Sequence, residues 1–228
     1  MIRWPRGALP PVPRLMAALA TRGHAAAPSA LDLVPAWVED DVRVVCLHDG
    51  SERDAEFRGR AGERVVVIGW VGTHPDSRHA GLRRLWSLEE RARAGGGPVL
   101  VLRLAPLVGP ASPLWLRLAR RAPLGGLGRK LVQPVLESDV LETLARALDG
   151  QAAWEGWFEV CGPDVLSLAE LAALAIAAGP AGAGAWEPPR GVLAEQGLAE
   201  SVAWRRHFGI VPRSLEAVGG PVPAWGRG

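Results

Sequence analysis

The sequence predicts an α/β protein with a doubly wound parallel sheet, because buried-strand patterns alternate with helical ones. Three short apolar runs rich in β-branched residues are typical of strands covered on both faces: residues 42–47, 64–69 and 98–104. Amphipathic helical patterns lie between and around them, at residues 13–22 and 82–94. This alternation favours a parallel sheet with helices packed on it.

Helical patterns dominate beyond Gly109. Three further helices and one short strand are predicted there, at residues 112–121, 138–148, 167–178 and 156–161. Ser138 or Asp139 would cap the second of these helices, and Ser167 and Glu170 have the spacing of a capping box. We expect one structural domain, with a core at 1–178 that includes a partly helical cap region at 110–150, and a C-terminal extension at 179–228.

The charge balance argues against a nucleic-acid partner. The 228 residues carry a formal net charge of +2, and the pI near 8.9 reflects 25 arginines beside a single lysine, Lys130. Basic residues are expected to be interspersed with acidic ones, which leaves no electrostatic footprint for a phosphate backbone. No apolar run approaches the roughly 20 residues that span a bilayer, and we expect a cytoplasmic protein.

Cysteine and histidine usage indicates no metal site. Cys46 and Cys161 lie in apolar, strand-like runs, where buried free thiols are expected. The histidines are not spaced as metal ligands. The chain has no tyrosine, which excludes any chemistry that requires one.

Seven segments, in order along the chain, resemble the short-chain dehydrogenase/reductase superfamily, in particular its extended and atypical members, the NAD-dependent epimerase/dehydratase and NmrA-like groups. They are residues 7–24, 41–50, 64–77 (RVVVIGWVGTHPDS), 97–110 (GPVLVLRLAPLVGP), 133–140 (QPVLESDV), 158–171 (FEVCGPDVLSLAEL) and 208–215 (FGIVPRSL). The resemblance implies a Rossmann-like fold with a small helical C-terminal region over the strand ends.

The cofactor loop departs from that family. Laid on its glycine-rich pattern, the three glycine positions fall on Gly7, Pro10 and Pro13, and proline has no N–H to offer a pyrophosphate. The acidic residue that reads the ribose has no clear counterpart. Asp32 is the nearest candidate, but its segment is more similar to the family's third strand, where an Asp contacts the adenine edge. Gly109 completes the degenerate cofactor positions, and the 17 residues between His24 and Val42 imply a contracted N-terminal half.

The catalytic positions also depart. The resemblance places the family's serine at Gly69, its tyrosine near Gly81 and its lysine near Leu85, whereas the only lysine of the chain is Lys130. The usual proton donor for hydride transfer is therefore missing.

A different chemistry has its own candidate residues. His48 and Asp49 follow one predicted strand, and His74, Asp76 and His79 follow the next, so the five would meet at the carboxyl ends of the sheet. Such a group suits acid/base catalysis. The alternative interpretation is an ordinary loop, in which Asp76 and its neighbour Ser77 cap the next helix.

The ten tryptophans divide by context. Trp37, Trp70, Trp115 and Trp157 are predicted to lie in the core or against the sheet. Four others lie in loop-like or terminal contexts, where exposed indoles favour an interface: Trp4, Trp186, Trp204 and Trp225.

These departures predict a catalytically degenerate protein that acts as a non-redox scaffold, accessory subunit or regulator through contact with another protein, with no cofactor. One alternative is a cofactor-independent acid/base enzyme that uses the His/Asp group. Another is an NAD(P)-binding sensor or reductase with an altered phosphate loop. Residues 106–110 correspond to the family's loop at the nicotinamide end, so a residual crevice there would suit a small hydrophobic ligand.

Overall fold

The computed structural model describes residues 64–109, 112–179, 193 and 198–219, together with the backbone of two strands in the N-terminal region. The predicted helix at 13–22 and nearly all of the predicted loop that begins at 179 lie outside these residues. The elements follow in chain order as β1 (Ala36–Glu39), β2 (Val42–Cys46), β3 (Arg64–Trp70), α1 (Ala80–Arg93), β4 (Val99–Leu104), β5 (Leu107–Val108), α2 (Pro113–Ala119), a 3-10 turn (Leu127–Arg129), β6 (Leu131–Val132), β7 (Val135–Leu136), α3 (Glu137–Leu148), β8 (Trp157–Val160), β9 (Leu166–Ser167), α4 (Leu168–Ala178), α5 (Val202–Phe208) and α6 (Glu216–Gly219).

The main sheet has five strands in the order β1-β2-β3-β4-β8. The pairs β2–β3, β3–β4 and β4–β8 are parallel, which confirms the predicted α/β fold with a parallel sheet. Strand β1 is antiparallel to β2 and lies directly beside it. The likeness of residues 31–42 to the family's third strand stays a prediction, and here β1 forms the antiparallel edge of the sheet beside β2.

Strands β3 and β4 form the centre of the core. Every residue of β4, and every residue of β3 after Arg64, is buried. Because successive side chains of a strand point to opposite faces, both faces of the sheet are covered at these strands. Helix α1 connects the two strands and buries Leu82, Leu85 and Leu88 against them.

The predicted caps of two helices have different outcomes. Helix α4 begins with the predicted capping box of Ser167 and Glu170. Helix α3 begins at Glu137, with Leu136 at the N-cap, so neither Ser138 nor Asp139 caps it. The carboxylate of Asp139 instead accepts hydrogen bonds from the backbone N–H and the Nε of Arg213.

A second hydrophobic cluster lies beside the main core and is built from α2, α4 and the short strands β6 and β9. The C-terminal segment, 198–219, contributes to both clusters, with Trp204 and Phe208 in the main core and Leu215 in the second. Trp204 Nε1 donates to Thr143 Oγ1 over 3.1 Å. The division of the chain at residue 178 stays a prediction.

The tryptophan predictions are partly wrong. Trp70 and Trp115 are buried as expected. Trp157 is 49% exposed because β8 is an edge strand, while Trp204, predicted at a surface, is fully buried against α3. The side chains of Trp37, Trp4, Trp186 and Trp225 lie outside the described residues.

Cys161 is a buried free thiol, as predicted, and burial raises its pKa to about 12. The thiol is therefore protonated and unreactive at neutral pH. The side chain of Cys46 lies outside the described residues. Within the part of the chain that the structure describes, no helix has the length and apolar character of a membrane span, and no group of three metal-ligating side chains converges.

Candidate functional site

The candidate site lies where β3 and β4 end side by side. The chain leaves β3 through a tight turn in which Thr73 N–H donates to Trp70 O over 3.2 Å, with Gly72 at φ 81°. Strand β4 continues through Ala105 and Pro106 into β5 and reaches Gly109. The carboxyl ends of parallel strands are where ligands bind in open α/β sheets.

A buried ion pair fills the space beside Gly69, the position that the resemblance assigns to the family's serine. Glu89 of α1 accepts hydrogen bonds from Arg103 of β4 at both Nε (3.1 Å) and Nη2 (2.7 Å). A Cβ atom added at Gly69 would lie 2.7 Å from Glu89 Oε1, closer than real Cβ contacts allow. A serine at residue 69 would therefore compete with the Glu89 carboxylate for the same volume.

The ion pair is buried, and an aromatic ring stacks on its guanidinium. The side chains of Arg103 and Glu89 are 8% and 0% exposed. The guanidinium carbon of Arg103 lies 4.5 Å from the ring centroid of Trp157, in cation–π geometry. Burial raises the pKa of Glu89 above its ordinary value of 4.5, and the hydrogen bonds and charge of Arg103 oppose that rise.

The other two catalytic positions carry no acid or base. Leu85, at the expected lysine position, is a fully buried core residue, and Gly81, at the expected tyrosine position, lies in the first turn of α1. Lys130 lies elsewhere, just after the 3-10 turn, where its carbonyl accepts the N–H of Leu168.

Thr73 brings a buried hydroxyl to the end of β3. The residue is 2% exposed, and its Oγ1 has no hydrogen-bond partner among the described residues. A buried hydroxyl without a partner is costly, so such groups are rare and often belong to ligand sites. Thr73 is the residue of this edge that is best prepared to accept or donate a new hydrogen bond.

Gly109 lies in a crowded place on the same side of β4. Its φ of +154° lies at the margin of the region that favours glycine, and an added Cβ would lie 2.6 Å from Oε2 of Glu137, a buried residue at the start of α3. The carboxylate thus packs directly on the loop that the resemblance places beside a nicotinamide. This position requires glycine for close packing, whether or not a cofactor binds.

The proposed acid/base residues that the structure describes lie on an open turn. The side chains of His74 and Asp76 are 63% and 89% exposed, and Asp76 N–H donates to His74 Nδ1 over 3.1 Å. His79 is the N-cap of α1, so the predicted capping of this helix by Asp76 or Ser77 is wrong. Ser77 instead uses its Oγ to accept the N–H of His79.

The remaining predicted site residues lie outside the described residues: Gly7, Pro10, Pro13, Asp32, His48 and Asp49. Sequence reasoning missed Glu89, Thr73 and Glu137 as residues of this edge. One signal was available for Glu89, because Arg103 sits inside an apolar strand run and a buried guanidinium needs a carboxylate partner.

The parallel sheet and its crossover helix define an α/β protein of the Rossmann-like class, and solved structures agree. The chain is similar to MoeE5 in complex with UDP-glucuronic acid and NAD (17% identity, 68% of this chain and 62% of that one, TM-score 0.52). It is also similar to Bordetella bronchiseptica WbmH in complex with NAD+ (17%, 68% and 59%, 0.51). A third similar structure is the Helicobacter pylori ADP-L-glycero-D-manno-heptose-6-epimerase (14%, 68% and 57%, 0.50).

These likenesses confirm the predicted Rossmann-like α/β fold. The chain spans only 57% to 62% of the length of these structures. No protein-family model and no curated protein matches the chain.

Proposed function

We propose that this protein performs no redox turnover and acts in the cytoplasm as an accessory subunit or scaffold for another protein, on a short-chain dehydrogenase/reductase-like fold. The observation that carries the proposal is the ion pair of Glu89 and Arg103 beside Gly69. It uses, for structural purposes, the volume in which the family's catalytic hydroxyl would stand.

The chemistry of the remaining residues supports the same conclusion. Hydride transfer at a sugar carbon needs a group that takes up or delivers the hydroxyl proton at the same time. The chain has no tyrosine, α1 has no lysine, and the carboxylate nearest the serine position is held by a bidentate arginine. A carboxylate that is fixed in this way is a poor proton shuttle, because proton uptake would break a buried ion pair.

A turnover assay tests the proposal directly. The purified chain is incubated with NAD+ and either UDP-glucose or UDP-glucuronic acid, and NADH absorbance and sugar products are followed. We expect neither reduced cofactor nor a new sugar. Turnover that disappears in the Glu89→Gln variant would contradict the proposal, since it would give the buried carboxylate a chemical role.

A second candidate function is NAD(P) binding without catalysis, as in a sensor. Two of the similar structures contain NAD, and the buried hydroxyl of Thr73 stands at the edge of the sheet where such a ligand would lie. On this hypothesis, Thr73→Val weakens NADH binding by roughly tenfold, because an isosteric methyl group removes one buried hydrogen bond.

Thr73→Val should also stabilise the protein in the absence of NADH, and this gain of stability serves as the control for the binding measurement. Removing a buried hydroxyl that has no partner should raise the free energy of unfolding by about 1 kcal/mol. Gain of stability together with loss of NADH binding would favour the sensor. Gain of stability in a protein that never bound NADH would leave the scaffold as the better account.

A further inference from the structure

Strand β8 forms one edge of the five-stranded sheet, and its outer side pairs with no strand among the described residues. Its register with β4 decides which of its backbone groups face outward. Val101 N–H donates to Gly156 O, and Ala105 N–H donates to Val160 O, each over 3.0 Å. In a parallel ladder, successive residues direct their backbone groups to opposite sides of the strand. The even-numbered residues of this segment therefore bond to β4.

Two residues of β8 keep their backbone groups open. The N–H and C=O groups of Trp157 and Glu159 point away from β4, and no other described residue forms a hydrogen bond with them. Helix α5 packs on a face of the sheet and not on this edge, since it contacts Phe158, whose ring centroid lies 4.4 Å from that of His207. Open edges are usually protected by lysine, proline or a bulge, and β8 contains neither of these residues. The edge is thus available to another extended chain.

The indole of Trp157 gives this edge a well-held apolar surface. It is the largest of the exposed apolar side chains in the described part of the chain. Its ring stacks on the guanidinium of Arg103, which in turn is bound by both oxygens of Glu89. A side chain that is already ordered loses little conformational entropy when a partner covers it, and tryptophan is prominent among the residues that dominate binding energy at interfaces.

Two carboxylates at the same edge have no cationic partner. Glu159 accepts the backbone N–H of Glu200 over 2.7 Å, and the Glu200 carboxylate accepts the N–H of Val202. Neither carboxylate forms an ion pair with any described residue. Arg103, the residue of β4 that is in register with Glu159, is bound to Glu89. The edge therefore favours positive charge in its occupant.

We propose that β8 is a docking edge, at which an extended basic segment of a partner protein adds a strand to the sheet. This inference rests on the proposed accessory function and specifies the partner's binding segment. Backbone groups of the segment would pair with those of Trp157 and Glu159. Because these two side chains lie on one face, an aromatic or β-branched residue of the segment would cover the indole, and a lysine or arginine two positions away would face the carboxylates.

Two other occupants fit the edge less well. A second copy of this chain in a symmetric antiparallel pair would place the Glu159 and Glu200 carboxylates of both copies along one short ladder, and like charges on neighbouring strands are destabilising. A partner helix uses its backbone groups internally, so it would leave the outward N–H and C=O groups of β8 without partners. An extended segment satisfies these groups and supplies the missing positive charge.

Three synthetic peptides test the proposal. The first is a short fluorescein-labelled peptide in which Thr alternates with Tyr and Lys. The second has Glu in place of each Lys, and the third carries the side chains of the first on a backbone whose amides are all methylated. Fluorescence anisotropy with the full chain should show binding of the first peptide, weakened by a rise from about 50 mM to about 500 mM NaCl, and at least tenfold weaker binding of the other two.

Amide hydrogen exchange measured by NMR locates the peptide on the chain. In the free chain, the N–H groups of Trp157 and Glu159 should exchange rapidly and those of Phe158 and Val160 slowly, because only the latter two donate to β4. At saturation, the first peptide should slow exchange at Trp157 and Glu159 at least tenfold. Binding of the peptide without protection of these two amides overturns the proposal.

Variants of Glu159 separate the backbone contribution from the charge. Glu159→Gln removes only the charge and should weaken the first peptide by about threefold. Glu159→Pro also removes the outward N–H, which an edge strand tolerates, and should weaken binding at least tenfold. The control Glu216→Gln makes the same change of charge at an exposed residue of α6 and should leave binding within about twofold. Circular dichroism of each variant verifies that the fold is retained.

Failure of the first peptide to bind overturns the proposal. Equal binding of the methylated peptide also overturns it, because recognition would then not use the backbone groups of β8. A dimer of the free chain that Glu159→Pro dissolves would assign the edge to a second copy instead. None of these failures bears on the absence of turnover, which the nucleotide-sugar assay measures separately.

Discussion

Two arginine–carboxylate pairs join distant parts of this chain, and they differ in how much water reaches them. Arg103 and Glu89 are both buried between β4 and α1, whereas Arg213 is 54% exposed although its partner Asp139 is 3% exposed. The first pair sits at the candidate site and excludes a side chain at residue 69. The second fastens the C-terminal segment to the start of α3. We call Arg103–Glu89 the dry pair and Arg213–Asp139 the wet pair. Breaking the dry pair leaves a buried charge without a partner, which lowers the free energy of unfolding strongly. Breaking the wet pair affects mainly its buried carboxylate, because water solvates the exposed guanidinium.

Breaking the dry pair should have the largest effect. Arg103→Met leaves the Glu89 carboxylate buried without its bidentate partner, and we expect a loss of about 3–5 kcal/mol in the free energy of unfolding. Urea unfolding measures it. The double variant Arg103→Met/Glu89→Gln should recover part of the loss, since it removes the uncompensated charge. A loss under about 1 kcal/mol in the single variant would mean that the pair contributes little.

The same variant should change the dependence of stability on pH. Because the pKa of Glu89 is raised in the folded protein, folding takes up a proton between its ordinary value and the folded value, so stability falls as pH rises through that window. Loss of Arg103 raises the folded pKa further and widens the window. The deficit of Arg103→Met relative to the parent chain should therefore be smaller at about pH 5 than at about pH 8. An equal deficit at both pH values would contradict this assignment.

Crowding the dry pair should have an intermediate effect. Gly69→Ser introduces the residue that the resemblance places there but sets its Cβ against Glu89 Oε1, and we expect a loss of about 1–3 kcal/mol in the free energy of unfolding. Combining it with Glu89→Ala tests the cause, because the two changes should be strongly non-additive if they compete for one volume. Additive losses would mean that the strain caused by a serine at residue 69 comes from contacts other than the one with Glu89.

Breaking the wet pair should have the smallest effect. Arg213→Ala removes a guanidinium that is half exposed, while the Arg213 N–H continues to donate to Asp139. We expect a loss of about 1 kcal/mol, reduced further at high salt. Thermal unfolding at two salt concentrations measures it. A loss as large as that of Arg103→Met would remove the difference between the two pairs.

The sequence predicts what depends on local pattern and fails where distant contacts decide. The runs that form β3 and β4 are apolar on both faces, and the Ser167–Glu170 spacing is a local signal, so both were predictable. The start of α3 was not, because Asp139 is bound by Arg213, 74 residues away. Trp204 follows a glycine- and proline-rich stretch that looks exposed, yet its partner Thr143 lies 61 residues earlier.

The candidate site shows the same division. The family's catalytic positions were found at Gly69, Gly81 and Leu85 by aligning short phrases, and their lack of acid or base was visible in the residues themselves. The contact between Gly69 and Glu89 could not be predicted, because in the sequence Glu89 looks like an exposed residue of an amphipathic helix. Only the fold shows that it is buried and hydrogen-bonded to Arg103. The burial of the Thr73 hydroxyl likewise depends on how two strand ends meet.

The central proposal is an accessory role without a nicotinamide cofactor, and a titration with NADH and NADPH tests it most directly. Energy transfer from the tryptophans to the nicotinamide reports binding, with calorimetry as a check. We predict no binding up to about 1 mM cofactor. Binding tighter than about 100 μM, near −5.5 kcal/mol, would contradict the account and would show that the chain holds a dinucleotide despite its prolines and its filled serine position.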